Sequence, residues 1–312
     1  MERFSMLGLF TTNRCNLNCI YCSTGAGKKL GKELTLSEKK RCIREAKKKG
    51  MTRVNLHGSG EPMLDKDFKD IIEYIHSLKM RPFVVTNGTL IDRDYASWLK
   101  KRRVYVLFKL NSFSEDTTDF LCGKKNSYKW LKYKGHKSPA GLKHLIDAGY
   151  LGFRRKIGDI YPLQVQTTIT RYNFKEIPEI ARFCRANKIY LFLDSLIKDG
   201  RASQNYDKLK TDKNQDKWLY KELAKIYGLR FILLQKSVKC TLQGNPLIDA
   251  QGNFRFCVHR PEIIGNIRNE SFSVLCERFR NMHKKVALPF TVGMLNNSFK
   301  TCPGRRYLED ED

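Results

Sequence analysis

The feature that most limits what this chain can fold into is an alternation running from Met6 to Leu193, in which short β-branched or apolar runs are separated by amphipathic stretches with helical spacing. The runs lie at 6–11, 53–57, 82–86, 104–110, 163–169 and 189–194. Between them, Thr35 and Glu38 form a capping box ahead of one helix, and Phe68, Ile71, Ile72, Ile75 and Leu78 make the apolar stripe of a second. A later helix is expected to start at Asn173 with Glu176, turning Ile177, Ile180, Ala181 and Cys184 inward. Strands alternating with helices in this way predict parallel pairing with helices outside. The expected fold is α/β, a partial (β/α)6 TIM-type barrel with its reactive groups in the loops after the strand C-termini.

The polar stretch after 199–203 marks a boundary. The expected division is a barrel over 1–202, a connector and helix over 203–230, and a small module of β-hairpin plus helix over 231–312. No run of about 18 apolar residues occurs, and the N-terminus lacks the marks of a signal peptide, so a soluble cytoplasmic protein without membrane attachment is expected. In that reducing setting the ten cysteines read as metal ligands or buried apolar residues rather than disulfides. Cys42 and Cys184, on inward helix faces, read as core.

The formal charge is +27, from 59 Lys and Arg against 32 Asp and Glu. The excess concentrates at 28–49 and 123–156, windows with ten basic residues each and three and one acidic residues respectively. Such a field attracts phosphates, nucleic acid or an acidic peptide, although a solvated surface explains it too. In the second window Tyr128, Trp130 and Tyr133 alternate with lysines, as a base-stacking surface would, or as a loop and helix start packing its rings on the barrel would.

After the first strand, Cys15, Cys19 and Cys22 fall in the spacing Cys-x3-Cys-x2-Cys. A structural zinc site wants a fourth Cys or His nearby, and before His57 the sequence offers just Cys42, which reads as core. Three thiolates can hold a four-iron cluster with one iron open to a ligand that is not protein. With Tyr21 before the last cysteine, the motif resembles the signature of the radical S-adenosylmethionine (radical SAM) superfamily. Other parts occur in matching order: His57 to Pro62 is similar to the family's Gly-Gly-Glu-Pro motif, with Ser59 replacing a glycine or inserted beside it, and Asn87 follows the third strand.

The resemblance implies a [4Fe-4S] cluster at Cys15, Cys19 and Cys22, with S-adenosyl-L-methionine (SAM) chelated to the open iron and cleaved by one electron to a 5′-deoxyadenosyl radical. Gly58, Ser59 and Gly60 would let the backbone approach SAM, and Glu61 would pair with its ammonium group. Asn111 and Ser112 would face the ribose, and Thr168 would lie at the adenine. An electron donor such as flavodoxin or ferredoxin is implied.

Farther on, Cys240, Gly252 and Cys257 with the segment around them resemble the first half of the SPASM/twitch extension. The resemblance implies one auxiliary iron-sulfur cluster, with Cys240, Cys257 and Cys302 as ligands. Cys276 reads as core or as a fourth ligand, and His259 is another candidate cap. Cys122, after the fourth strand, is either a hydrogen-atom donor to a substrate radical or an incidental small apolar residue. The expected activity is hydrogen-atom abstraction from an anionic substrate, nucleic acid, nucleotide or peptide. The alternatives are maturation or epimerisation of a ribosomally made peptide, dehydrogenation of an amino sugar, and a nucleic-acid-binding iron-sulfur protein with no catalysis.

Overall fold

The computed structural model describes residues 4–152, 161–229, 245–258 and 262–282. Two compact units form, one from residues 1–15, 26–82 and 239–312, the other from 16–25 and 83–238. Cys240, Cys302 and His259 lie outside the described residues.

In the first unit, β1 (Met6–Phe10) pairs in parallel with β2 (Arg53–His57), through α1 (Leu36–Lys48). Leu7 and Leu9 stand in register with Val54 and Leu56, and all four are wholly buried. Helix α1 packs on β1 and buries Cys42, Ile43 and Ala46. Each wholly buried Leu, Ile or Val side chain among these contributes roughly 1.5–3 kcal/mol by leaving water. The capping box is formed as expected, with Thr35 accepting from the Glu38 N–H and the Glu38 carboxylate accepting from the Thr35 N–H at 2.8 Å. Helix α2 (Phe68–Ser77) buries Phe68, Ile71, Ile72 and Ile75.

The C-terminal hairpin belongs to this same unit, a link that local patterning could not show. Strand β9 (Leu247–Ile248) pairs in parallel with β1, then antiparallel with β10 (Asn253–Arg255), which pairs with β11 (Ile263–Asn266). Asn245 Oδ1 accepts the backbone N–H groups of Ser5 and Met6 at 3.0 Å each, fixing the register of the join. A closing helix, α9, covers 272–282. Its Phe279 packs edge-on against Phe4 and Phe254.

In the second unit, β3 (Arg81–Thr86), β4 (Tyr105–Lys109), β7 (Leu163–Thr168) and β8 (Tyr190–Asp194) are parallel neighbours. All six predicted barrel strands are thus present. The helices are α3 (Arg93–Lys101), α4 (Glu115–Cys122), α5 (Ala140–Asp147), α6 (Ile177–Ala186), α7 (Gly200–Leu209) and α8 (Lys213–Tyr227). The polar stretch expected as a connector is helical from Gly200, broken only between α7 and α8.

Two expectations fail for identifiable reasons. Helix α6 begins at Ile177, with Pro178 in its first turn, and not at Asn173. The Asn173 side chain is spent on the preceding turn, where its Oδ1 accepts from the N–H and hydroxyl of Thr170 at 2.8 and 2.9 Å. The basic, aromatic segment is a β-hairpin, β5 (Trp130–Tyr133) with β6 (His136–Pro139). Its two-residue turn, Lys134 and Gly135, has both φ angles positive, as a hairpin of that length needs.

Candidate active site

In the first unit the chain leaving β1 is tied to two other segments. Thr12 Oγ1 and the Asn13 N–H both donate to the Glu33 carboxylate at 2.9 Å. The Cys15 N–H donates to Gly27 O at 3.0 Å. The segment after β2 lies against this loop: the Gly60 N–H donates to Thr12 O and the Glu61 N–H to Arg14 O. A Cβ on Gly60 would stand 2.1 Å from Arg14 O, and one on Gly58, whose φ is 146°, 2.4 Å from the Phe10 ring. A side chain at Gly60 would have to move the loop that carries Cys15, and one at Gly58 would have to move the Phe10 ring. Glu61 is buried, and its Oε1 accepts the Met63 N–H at 3.2 Å. Ser59 is half-buried.

His57 also lies here, its ring edge-on to Phe10 at 5.0 Å. Burial lowers its pKa to about 4. His57 Nε2, Asn55 Oδ1 and Thr11 Oγ1 are buried polar atoms with no hydrogen-bond partner among the described residues.

In the second unit, residues 16–25 are held from three directions. Asn87 Nδ2 donates to Asn16 Oδ1 at 3.0 Å, and Asn16 Nδ2 to Thr89 Oγ1 at 2.7 Å. The C-terminal carbonyls of α4 accept next, Cys122 O from Asn18 N–H and Leu121 O from Ile20 N–H, both at 3.0 Å. From the start of α7, Arg201 Nη1 donates to Cys19 O at 3.0 Å and the Ala202 N–H to Cys22 O at 3.1 Å. Gly200 makes that approach possible, because a Cβ there would meet Gly25 N at 2.6 Å.

Cys19, Cys22 and Tyr21 are left half-buried on this clamped loop. A hydrogen bond that the protonated Cys19 thiol makes with Cys122, followed by burial, holds its pKa well above the ordinary value. Burial foremost, with Cys19 and Cys122 adding to it, does the same to the Tyr21 phenol. Lys109 Nζ stands 5.6 Å from the centroid of the Tyr21 ring and donates to Thr168 Oγ1 at 3.1 Å.

The strand-end residues are used differently from one another. Asn111 Oδ1 accepts the Thr168 N–H at 2.9 Å, and Asn173 Nδ2 ties Asn111 O to Thr168 O. Ser112 is fully buried, its hydroxyl donating to Glu176 Oε2, which also anchors Thr117 through the other carboxylate oxygen. Ser112 therefore braces the wall from behind. Cys122, 3% exposed, shares a small cavity with Lys109, Asn111 and Tyr128. Tyr133 packs edge-on against Phe183 and donates its hydroxyl to Asn187 Oδ1, which removes it from any stacking surface. Asn173, Glu176, Gly123 and Lys109 carry much of this geometry, and their sequence signals were only those of turn, cap and strand residues.

The eight described cysteines are all thiols. Cys15, Cys19, Cys22 and Cys257 are half-buried, whereas Cys42, Cys122, Cys184 and Cys276 are buried. Burial pushes Cys42 and Cys276 up to about 12. Among the described residues no three His, Cys, Asp or Glu side chains are grouped to hold a single metal ion. The donor chemistry of Cys15, Cys19 and Cys22, accessible thiols on loops pinned through their backbones, fits an iron-sulfur cluster. No described helix is long and apolar enough to cross a membrane.

Residues 9–133 match the family model described as Radical SAM superfamily. The Fe-coproporphyrin III synthase of Methanosarcina barkeri is 29% identical over 196 residues, 62% of this chain and 44% of that protein. The AdoMet-dependent heme synthase of the same organism is 25% identical over 346 residues, 96% of this chain and 93% of that protein. The chain spans about half the length of the first curated relatives it matches, between 41% and 57%. Among solved structures, Streptococcus suis SuiB bound to S-adenosylmethionine has a TM-score of 0.62 at 15% identity, covering 86% of this chain and 65% of that one. SuiB bound to its precursor peptide SuiA gives 0.57 at 15% identity, covering 82% and 60%. The likeness is one of fold, mixed α/β with a mostly parallel sheet, and a partial TIM-type barrel fits it.

Proposed function

We propose, from the premise that this chain belongs to the radical SAM superfamily through its residues 9–133, that it reductively cleaves SAM and abstracts a hydrogen atom from an anionic substrate. The observation that carries this reading is the loop 16–25, clamped through Asn16, Asn18, Ile20, Cys19 and Cys22 while its two thiols stay accessible. Cys15, Cys19 and Cys22 would hold a [4Fe-4S] cluster. That cluster, with SAM bound, would supply one electron from a flavodoxin or ferredoxin to split SAM into methionine and a 5′-deoxyadenosyl radical.

The protein's own part is binding and exclusion of water. Glu61, buried in a first-unit turn, would pair with the SAM ammonium group. Gly58 and Gly60 would admit its backbone-facing side, and Asn111 and Thr168 its nucleoside. Ser112, fully buried, would act by holding that wall in place. Cys257, with Cys240 and Cys302, would hold an auxiliary cluster, and buried Cys276 would be core.

The +27 charge supports an anionic substrate. A second reading, maturation of a ribosomally made peptide, is favoured by the fold shared with SuiB, which was captured with a precursor peptide. Electron paramagnetic resonance tests the conclusion. The reduced, reconstituted protein should give a cluster signal that SAM alters and that Cys15→Ala/Cys19→Ala/Cys22→Ala lacks. A signal indifferent to SAM would count against the reading.

A further inference from the structure

The hairpin of β5 and β6 forms a two-stranded sheet of its own. Residues 124–137, which contain it, hold six lysines and no Asp or Glu. Lys124, Lys125, Lys129, Lys132, Lys134 and Lys137 are all exposed. Among the described residues one of the six meets a carboxylate, Lys137 with Glu115 at 2.7 Å. Lys124 and Lys134 donate to neutral oxygens, Asn16 O and Asn187 Oδ1. Five positive charges on one short ribbon thus have no carboxylate to offset them. Lys132 also stands directly across from Lys137, a like-charge pairing that costs stability.

The two faces of the ribbon differ. Tyr133 turns inward to Phe183. By the alternation of a strand, Trp130 and Lys132 share the opposite face with Lys137. Trp130 is half-buried, its ring 6.2 Å from that of Tyr128, and Tyr128 lines the small cavity that Lys109 and Cys122 also line. The base of the ribbon is fixed. The Ala140 N–H donates to Lys129 O at 2.7 Å, and the Asp119 carboxylate accepts from the Asn126 and Ser127 N–H groups at 2.6 and 3.0 Å. A held face of lysines with an indole among them therefore leads, through Tyr128, to the wall of the candidate site.

An acidic peptide would use the lysines and leave the indole idle. A single-stranded nucleic acid uses both, its phosphates on the ammonium groups and a base on the ring. A duplex keeps its bases paired and offers the ring no face, whereas the loops and ends of RNA present unpaired bases.

We propose that Trp130, Lys132 and Lys137, with the neighbouring Lys125 and Lys129, form the docking surface for a single-stranded segment of an RNA substrate. As a statement about substrate this rests on the reading of the chain as a radical SAM enzyme, and it narrows the anionic substrate to a polynucleotide.

The test is fluorescence anisotropy of a labelled oligouridylate of roughly 12 nucleotides, titrated with the full chain over a range of salt. Saturable binding is expected, with log K falling linearly against log salt. Lys125→Ser/Lys129→Ser/Lys132→Ser removes three lysines that have no side-chain partner among the described residues. It should flatten the salt slope by about 2 and weaken binding at least about tenfold at low salt. Should that variant fail to fold, Lys132→Ser alone should flatten the slope by about 0.7. Trp130→Ala should weaken binding at least about fivefold with the slope unchanged, as loss of one stacked base would. Arg44→Ser/Lys47→Ser/Lys48→Ser, at exposed positions of α1, should leave the affinity within about twofold of wild type. The proposal is overturned if the oligouridylate does not bind at low salt, if the hairpin variants bind it like wild type, or if the α1 variant loses as much. Duplex DNA or polyglutamate binding as tightly as the RNA, with Trp130→Ala without effect, would also overturn it and give the surface to that partner. RNA binding by a chain that never cleaves SAM would defeat the functional reading and leave this surface standing; SAM cleavage without RNA binding would defeat this surface alone.

Discussion

Gly123 lies directly beneath Asn18: with φ at 61°, a Cβ there would come within 2.3 Å of the Asn18 carbonyl oxygen. The left-handed residue that ends α4 is thus also the seat of the loop carrying Cys19 and Cys22. Gly123→Ala should cost about 1–2 kcal/mol for the backbone conformation alone, with displacement of the loop added. Urea unfolding should register the loss, and iron bound after reconstitution should fall. Wild-type iron content in Gly123→Ala would show that the seat is dispensable.

Lys39 and Asp65 form a buried ion pair in the first unit, 2.5 Å apart, with Asp67 at 3.7 Å from the same nitrogen. Removing the cation leaves a buried carboxylate exposed to no compensating charge. Lys39→Met should lose about 3–5 kcal/mol, and adding Asp65→Leu should restore much of it. Denaturant titration of the single and double variants measures both, and a loss under about 1 kcal/mol in the single variant contradicts the account.

The imidazole of His57, half-buried with its Nε2 out of reach of water, predicts a pH dependence. Its folded pKa is lowered from 6.5 to about 4, so between those values the unfolded chain binds the extra proton. The stabilisation is fully present above pH 6.5 and is lost as pH falls toward 4, amounting to up to about 3 kcal/mol. Unfolding free energies of wild type and His57→Gln across pH 4–7 should differ in slope, steeper in wild type. Equal slopes would place the imidazole in water.

The accessible and buried cysteines predict an uneven response to substitution. Iron and sulfide counts should correspond to two four-iron clusters, of which Cys15→Ala/Cys19→Ala/Cys22→Ala retains one. Cys276→Ala should change stability through its cavity and leave the count alone. A count that drops in Cys276→Ala would make that residue a ligand.

Much of the architecture was legible because period-two and period-3.6 patterns are written locally: all six barrel strands, the Thr35 capping box and the inward faces of α1, α2 and α6 follow from spacing. The cysteine motif and the Gly-Glu-Pro segment were legible for the same reason. What was not legible depends on partners far along the chain. Asn173 looks like a helix start until Asn111 and Thr168 are beside it, and Ser112 looks ligand-facing until its hydroxyl is seen donating to Glu176. The pairing of β9 with β1 joins residues some 240 apart, and the Lys134–Gly135 hairpin turn was hidden behind its lysines.

The central claim is that the cysteine loop is where SAM is cleaved, and the most direct measurement is anaerobic incubation of the reconstituted full chain with dithionite and SAM. 5′-Deoxyadenosine and methionine should appear in equal amounts with wild type and be absent with Cys15→Ala. No 5′-deoxyadenosine from wild-type protein with its iron in place, or equal amounts from Cys15→Ala, would contradict it.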